Sequence, residues 1–230
     1  MRGFKIIYII VKLKIMARLK DGLIGGVSGK IGNVIISSRY GKEYVKSAPY
    51  KVKNPKTKEQ VKQRSKFSVT MAFLKTITPF VRVGFQSASE NRRTPTNAAS
   101  SYIMKNAFTN DAGNLGLDYS KVLVSMGDLD TSEIINLEFN GRELTVYWDA
   151  NFMVTAKDND QVMLLVHNSN LGESVFDIGA GKRSHGSAKI VLPNDWKNQD
   201  NHIYLAFRSA DGKKVSDSVY HKKRPSLNLR

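Results

Sequence analysis

The 230-residue chain contains no cysteine, which excludes a disulfide framework, a thiolate metal site and a thiol nucleophile. The same absence fits a reducing compartment, and a cytoplasmic location is expected. No apolar run is long enough to cross a bilayer as a helix. The N-terminal run Ile6 to Val11 is short, Lys12 and Lys14 cut off its apolar character, and no small-residue cleavage site comes after it, so it does not read as a signal peptide. Histidine is scarce, and in the first half so is acid. Residues 1–110 hold 4 Asp+Glu against 22 Lys+Arg, a net +18, whereas residues 111–230 hold 16 against 14, a net −2.

The whole positive excess of the chain, +16 at pH 7, therefore belongs to the first half. A charge split of this kind points to a partner of dense negative charge, nucleic acid or an anionic surface, met by one part of the chain only. A solvated basic face that serves solubility is the competing explanation. With 41% hydrophobic residues the chain can fill real cores, and its length suits one large domain or two modest ones.

From Ile31, the stretch "IGNVIISSRYGKEYVKS" carries β-branched and aromatic residues on both sides of "RYGK", and Gly41 can take the positive φ that a hairpin turn needs. "PYKVKNPKTK" follows as an extended connector. Thr57 and Gln60 have the T-x-x-Q capping-box spacing, with Glu59 in the first turn, so a helix is expected to start there. Phe67, Met71, Leu74 and Ile77 form its expected buried face. Pro79 ends or kinks that helix, "FVRVGFQSASENRR" continues as a second, and Thr94-Pro95 opens a third with Ala99, Tyr102, Ile103 and Ala107 on one side. "TNDAGNLGLD", residues 109–118, reads as a turn-rich linker and domain boundary.

Beyond it the period changes to two. Asn140-Gly141 sits between alternating segments, a hairpin signal with Leu144, Val146 and Trp148 facing one way. "YSKVLVS", "DQVMLLVHN", "SVFDIG", "SAKIVLP", "HIYLAFRS" and "SDSVYHK" complete about seven or eight short strands. The expected fold is α+β. Residues 1–15 are an extension outside the fold, with Met16 as the start; residues 16–110 form a basic hairpin-and-helix module; residues 111–230 form an all-β immunoglobulin- or fibronectin-like sandwich that folds without the helices.

No motif converges on a reaction. The glycines of "GLIGGVSGKIGN" fail the P-loop pattern, because the position five before Gly29 is Ile24 and Lys30 is followed by Ile31; G-x-G-x-x-G is also absent. Tight turns or close backbone approach account for Gly25, Gly26, Gly29 and Gly32. His167, His185, His202 and His221 have no second ligand at helix or strand spacing, so no metal site and no cofactor is expected. Asp128-Leu129-Asp130 and Asp158-Asn159-Asp160 lack the later Gly and Glu of a calcium loop. Neither Ser28 nor Ser174 lies in G-x-S-x-G. An enzyme is not expected.

What remains is the basic half. Lys30, Arg39, Tyr40, Lys42, Tyr44, Lys46, Lys51 and Lys53 interleave aromatics with cations on and beyond the hairpin, and Lys56, Lys58, Lys62, Arg64 and Lys66 continue the charge into the first helix. Cations at this density can neutralise phosphates, and exposed tyrosines can stack on unpaired bases. The same tyrosines could equally be cross-strand packing partners and the lysines a solvated rim. The expected role is a non-enzymatic binding protein holding nucleic acid through phosphates with little sequence selectivity. The alternative is a structural component of a phage-like or mobile-element particle, self-associating or meeting a protein partner through the basic hairpin used as an arm.

"LKDGLIGGVSGKIGNVIISSRYGKEYVKS", "NPKTKEQVKQRSKF", "FLKTITPFVRVGF" and "DYSKVLVSMGDL" together resemble an uncharacterised family of Bacteroides-type bacteria, domain of unknown function 6266. Members typically begin M-A-x-x-x-x-G-x-x-G, which Met16 onward matches, and the resemblance runs over about residues 16–230. Where the family often has Trp-Lys-Gly at the hairpin turn, this chain has Arg39-Tyr40-Gly41. The resemblance implies no activity, catalytic residue or cofactor.

Overall fold

The computed structural model describes residues 16–19, 28–39, 42–50, 54–89, 93–111, 114–150, 154–196 and 199–223. The expected extension, residues 1–15, lies outside them. The chain divides into two compact units, Met1–Pro55 and Lys56–Arg230.

The first unit is an antiparallel sheet of β1 (Met16–Leu19), β2 (Gly29–Ile31), β3 (Val34–Arg39) and β4 (Lys42–Ser47), in the order β1-β4-β3-β2. The expected hairpin is β3–β4, closed so that Arg39 pairs with Lys42. Its turn, residues 40 and 41, lies outside the described residues.

The second unit begins with α1 (Lys58–Thr76), α2 (Thr78–Gly84) and α3 (Pro95–Asn106). Thr57 caps α1 by accepting the amide of Gln60 at 3.3 Å, and Thr94 caps α3 by accepting that of Asn97 at 3.2 Å, with Pro95 at the start of the helix. Residues 109–118 are not a linker. Residues 109–111 and 114–117 belong to two antiparallel strands, β5 (Phe108–Asp111) and β6 (Asn114–Leu117), whose Phe108 and Leu117 pack on the helical core. "YSKVLVS" is not a strand either: Asp118 accepts the Ser120 amide at 3.1 Å and bends Tyr119–Lys121 into a 3-10 turn, the local chemistry by which an Asp side chain outcompetes a ladder.

Seven strands follow: β7 (Ile134–Asn140), β8 (Glu143–Trp148), β9 (Gln161–Asn168), β10 (Glu173–Lys182), β11 (Ser187–Val191), β12 (Asn201–Arg208) and β13 (Val219–Lys223). They make a three-stranded sheet β11-β8-β7 and a four-stranded sheet β10-β9-β12-β13. The β7–β8 turn is shifted one residue from expectation. Asn140 still pairs with Glu143, and Gly141, at φ 61°, takes the first loop position, where a type II′ turn needs positive φ.

Residues of both sheets share one core. Leu144, Val146 and Trp148 of β8 and Ile190 of β11 meet Val162, Leu164 and Val166 of β9 and Ile203, Leu205 and Phe207 of β12. The opposite face of β9 and β12, carrying Met163, Leu165, Tyr204 and Ala206, packs on Phe73, Leu74, Ile77, Phe80, Val81, Phe85 and Ile103 of the helices. Covered on both faces, these two strands read as continuous apolar runs rather than alternations. The helices thus belong with the C-terminal strands, and the chain divides after Pro55 rather than within residues 109–118. At the junction Gly84 packs so tightly that a Cβ would stand 2.6 Å from the Val124 carbonyl oxygen, so no larger residue fits.

Only the later turns of α1 are covered. Thr70, Phe73 and Leu74 are buried, but Phe67, expected in the core, is 52% exposed, because the helix runs past the surface it packs against.

Candidate nucleic-acid interface

In an antiparallel ladder, residues directly opposite one another project from the same face. Ser37 opposes Tyr44, Ile35 opposes Lys46, and Lys30 opposes Ile35. One face of the first unit's sheet therefore carries Lys30, Lys42, Tyr44 and Lys46, together with Ile35 and Ser37. The other carries Ile31, Val34, Ile36 and Val45, with Glu43 its acidic member among the described residues. A four-stranded sheet with one apolar face meets the minimum for a stable sheet, and the sorting leaves the cations together on the opposite side. Lys30 and Lys46 are exposed; Lys42 and Tyr44 are half-buried.

Arg39 ends β3 opposite Lys42 in the ladder. Tyr40, Lys51 and Lys53 lie outside the described residues. Lys56 is exposed and holds a left-handed φ of 48°, a conformation that costs a residue with a Cβ about 1 kcal/mol. In the second unit, Lys58, Lys62 and Lys66 recur every fourth residue along one side of α1, with Arg64 exposed elsewhere on it. The Lys66 ammonium stands 5.2 Å from the centre of the Phe108 ring, a cation–π contact that anchors this end of the stripe.

A second cluster was not legible from spacing. His167 and His202 oppose each other on β9 and β12, 2% and 5% exposed. His167 Nδ1 lies 2.8 Å from Ser174 Oγ, which lies 2.8 Å from Thr76 Oγ1, so one chain of polar atoms joins helix α1 to the sheet. The other nitrogen of His167 faces the Tyr119 hydroxyl at 3.4 Å; Tyr119 stacks on His202 at 4.1 Å, and His202 Nδ1 lies 2.9 Å from the Tyr220 hydroxyl. Burial, reinforced by the neighbouring His202, lowers the His167 pKa to about 4; burial and Lys222 do the same for His202. Burial likewise raises the Tyr220 hydroxyl to about 12. A neutral histidine beside a serine can act as a base, but here Phe73 sits edge-on against both the His167 and Tyr119 rings. The cluster binds the helical layer to the sheet.

Arg183, in the connection between β10 and β11, is wholly buried. Its Nε stands 3.3 Å from a carboxylate oxygen of buried Asp160, it donates to Ser132 Oγ at 2.8 Å and to the Asp130 carbonyl at 2.5 Å, and its guanidinium lies 3.6 Å over the Phe207 ring. Asp160→Leu should destabilise the unit by about 3 kcal/mol or more, since it strands a buried cation, whereas Asp160→Leu combined with Arg183→Met should cost less than the single change. Urea denaturation of the three proteins measures this. A single variant as stable as the parent would show that the pair is not the internal tie it resembles.

A recess of about 680 Å³ is lined by Asp128, Asp130, Glu133, Asp149 and Asp217 among others. Asp130 already accepts the Thr155 amide at 2.6 Å and Asp217 that of Gly127 at 3.0 Å. Among the described residues, no three His, Cys, Asp or Glu side chains are grouped to hold a metal ion. No helix among them is long and apolar enough to cross a membrane.

Fold and surface together define an α+β protein of two units: a small amphipathic sheet with a basic face, and a larger body of three helices and a mostly β region. The chain belongs to a family of unknown function (DUF6266), whose match spans residues 26–222 and so takes in both units. Neither the curated proteins nor the solved structures compared with the chain give a match.

Proposed function

We propose that the protein is a non-enzymatic binding protein whose basic sheet holds nucleic acid through its phosphates, with the larger unit as scaffold. The observation that carries this reading is the gathering of Lys30, Lys42 and Lys46 on one face of the sheet, opposite the face that carries Ile31, Val34, Ile36 and Val45, with Ile35 the apolar member of the basic face. The lysine stripe of α1 adds to it. We also read the seven C-terminal strands as a fibronectin-like sandwich: in chain order, the first, second and fifth share one sheet and the remaining four the other, around a common core.

Retention on DNA or RNA should be salt-dependent. If on the order of six phosphates are neutralised, log affinity falls with log salt at a slope near −5 on duplex, or near −4 on single strands. Replacing Lys30, Lys42 and Lys46 with glutamine should flatten that slope by about 2 to 3 on every sequence tested. An intact protein that shows no salt-dependent retention at low salt would end this reading. A defined oligomer formed by the purified chain without nucleic acid would instead support a structural assembly component using the basic hairpin as an arm.

A further inference from the structure

The alternation along β4 places Lys42, Tyr44 and Lys46 on the same face of the sheet, with the ring midway between two cations. At the rise of an antiparallel strand, the two lysines start about 7 Å from the tyrosine on either side, well within the reach of their flexible stems. Lys30 stands two strands away in the same row as Lys46, with Ile35 of β3 between them, about 10 Å off at the usual strand separation. Directly opposite Tyr44 on β3 is Ser37, whose side chain is too small to cover the ring from that side, and the position opposite it on β1 is a further cation, Arg18.

We infer that this face takes single-stranded nucleic acid, one base stacking on Tyr44 while the phosphates before and after that nucleotide meet Lys42 and Lys46. The inference rests on the nucleic-acid reading above and narrows it. In a duplex the base faces are buried in the stack and offer nothing to a ring on a flat sheet, and only the cations would be used. In a single strand every base has an open face, so an aromatic flanked by cations gains stacking and charge neutralisation together, without regard to sequence. Lys30 extends the cationic row beside the path of the strand.

The test uses the full chain and labelled twelve-nucleotide probes of mixed sequence, as single-stranded DNA, as single-stranded RNA, and as the corresponding duplexes, titrated by fluorescence anisotropy at one salt concentration. Single strands should bind more tightly than duplexes. Tyr44→Ala should weaken binding to single strands about tenfold and to duplexes less than about twofold, while Tyr44→Phe keeps the parent affinity. The DNA and RNA arms show which sugar is preferred; a preference for either supports the inference. Because Tyr44 is half-buried, a second measurement needs no variant. Irradiation of the unaltered protein with a thiouridine-substituted strand should attach the strand to the peptide of residues 43–46. Equal binding of single strands and duplexes, with Tyr44→Ala harmless to both and no adduct on that peptide, overturns the single-strand inference but leaves the phosphate reading standing. No binding to any probe overturns both.

Discussion

A fragment beginning at residue 117 should fail to fold, whereas one covering residues 56–230 should unfold in a single cooperative transition. Removing the helices strips the second face of the four-stranded sheet and exposes Val122, Val124, Met163, Leu165 and Tyr204, all now fully or almost fully buried. At about 2 kcal/mol for each large side chain returned to water, the loss is on the order of 10 kcal/mol. That equals the whole stability of an ordinary domain, about 5–15 kcal/mol. Circular dichroism and thermal melting of the two fragments decide the matter. A fragment of residues 117–230 that melts cooperatively, with the β signature of the parent, would show that the helices decorate the sheet without completing it.

The second large effect is acid destabilisation between pH 6.5 and about 4. In the folded chain the two buried histidines stay neutral down to about pH 4, while in the unfolded chain they take up protons near 6.5. Their folded pKa values are lowered, so the unfolded state binds more protons throughout that interval and stability rises with pH across it. Their contribution is complete above pH 6.5, is lost progressively as the pH falls, and is gone below about 4. His167 accounts for about 3 kcal/mol, and His202, closer to water and to the Lys222–Asp200 ion pair, for about 2. The groups facing them are Tyr119, Ser174, Thr76 and Tyr220, of which none titrates in this window. Asp118, Asp130 and Asp211, whose carboxyls lie below the usual aspartate value through hydrogen bonds from Ser120, Thr155 and Ser209 respectively, act only at lower pH. Urea denaturation at pH 7 and pH 4.5 should therefore separate the parent from a His167→Gln, His202→Gln variant, which keeps nearly constant stability over that range. An equal loss in both proteins would place the acid sensitivity elsewhere.

What could be read from the residues alone was local chemistry. The caps at Thr57 and Thr94 were legible because a side chain and an amide three residues on settle the matter between themselves. The alternation Lys42, Tyr44, Lys46 is visible in the letters, but that Lys30 joins the same face depends on the register of β2 against β3, which no local rule supplies. The same limit hid the meeting of His167 and His202: each follows the alternation of its own strand, and only the pairing of β9 with β12 makes them neighbours. "QVMLLVHN" and "HIYLAFRS" carry apolar residues at consecutive positions, the mark of strands covered on both sides, and that pattern was the available hint that the helices belong to the sheet. The linker reading of residues 109–118 failed because turn-forming residues mark a hairpin as readily as a boundary, and only the burial of the flanking Phe108 and Leu117 separates the two.

The overhang of α1 makes that helix a cantilever, clamped where Thr70, Phe73 and Leu74 are buried, tied again where Lys66 meets Phe108, and exposed over most of its earlier turns. A stretch that short barely holds helical form by itself, so its order is borrowed from continuity with the clamped end. Opening it exposes little that was not already wet, so these turns cost little to unwind. Any anion that settles along Lys58 and Lys62 relieves the repulsion between neighbouring cations and holds those turns wound, so the free end of the beam stiffens when it is loaded.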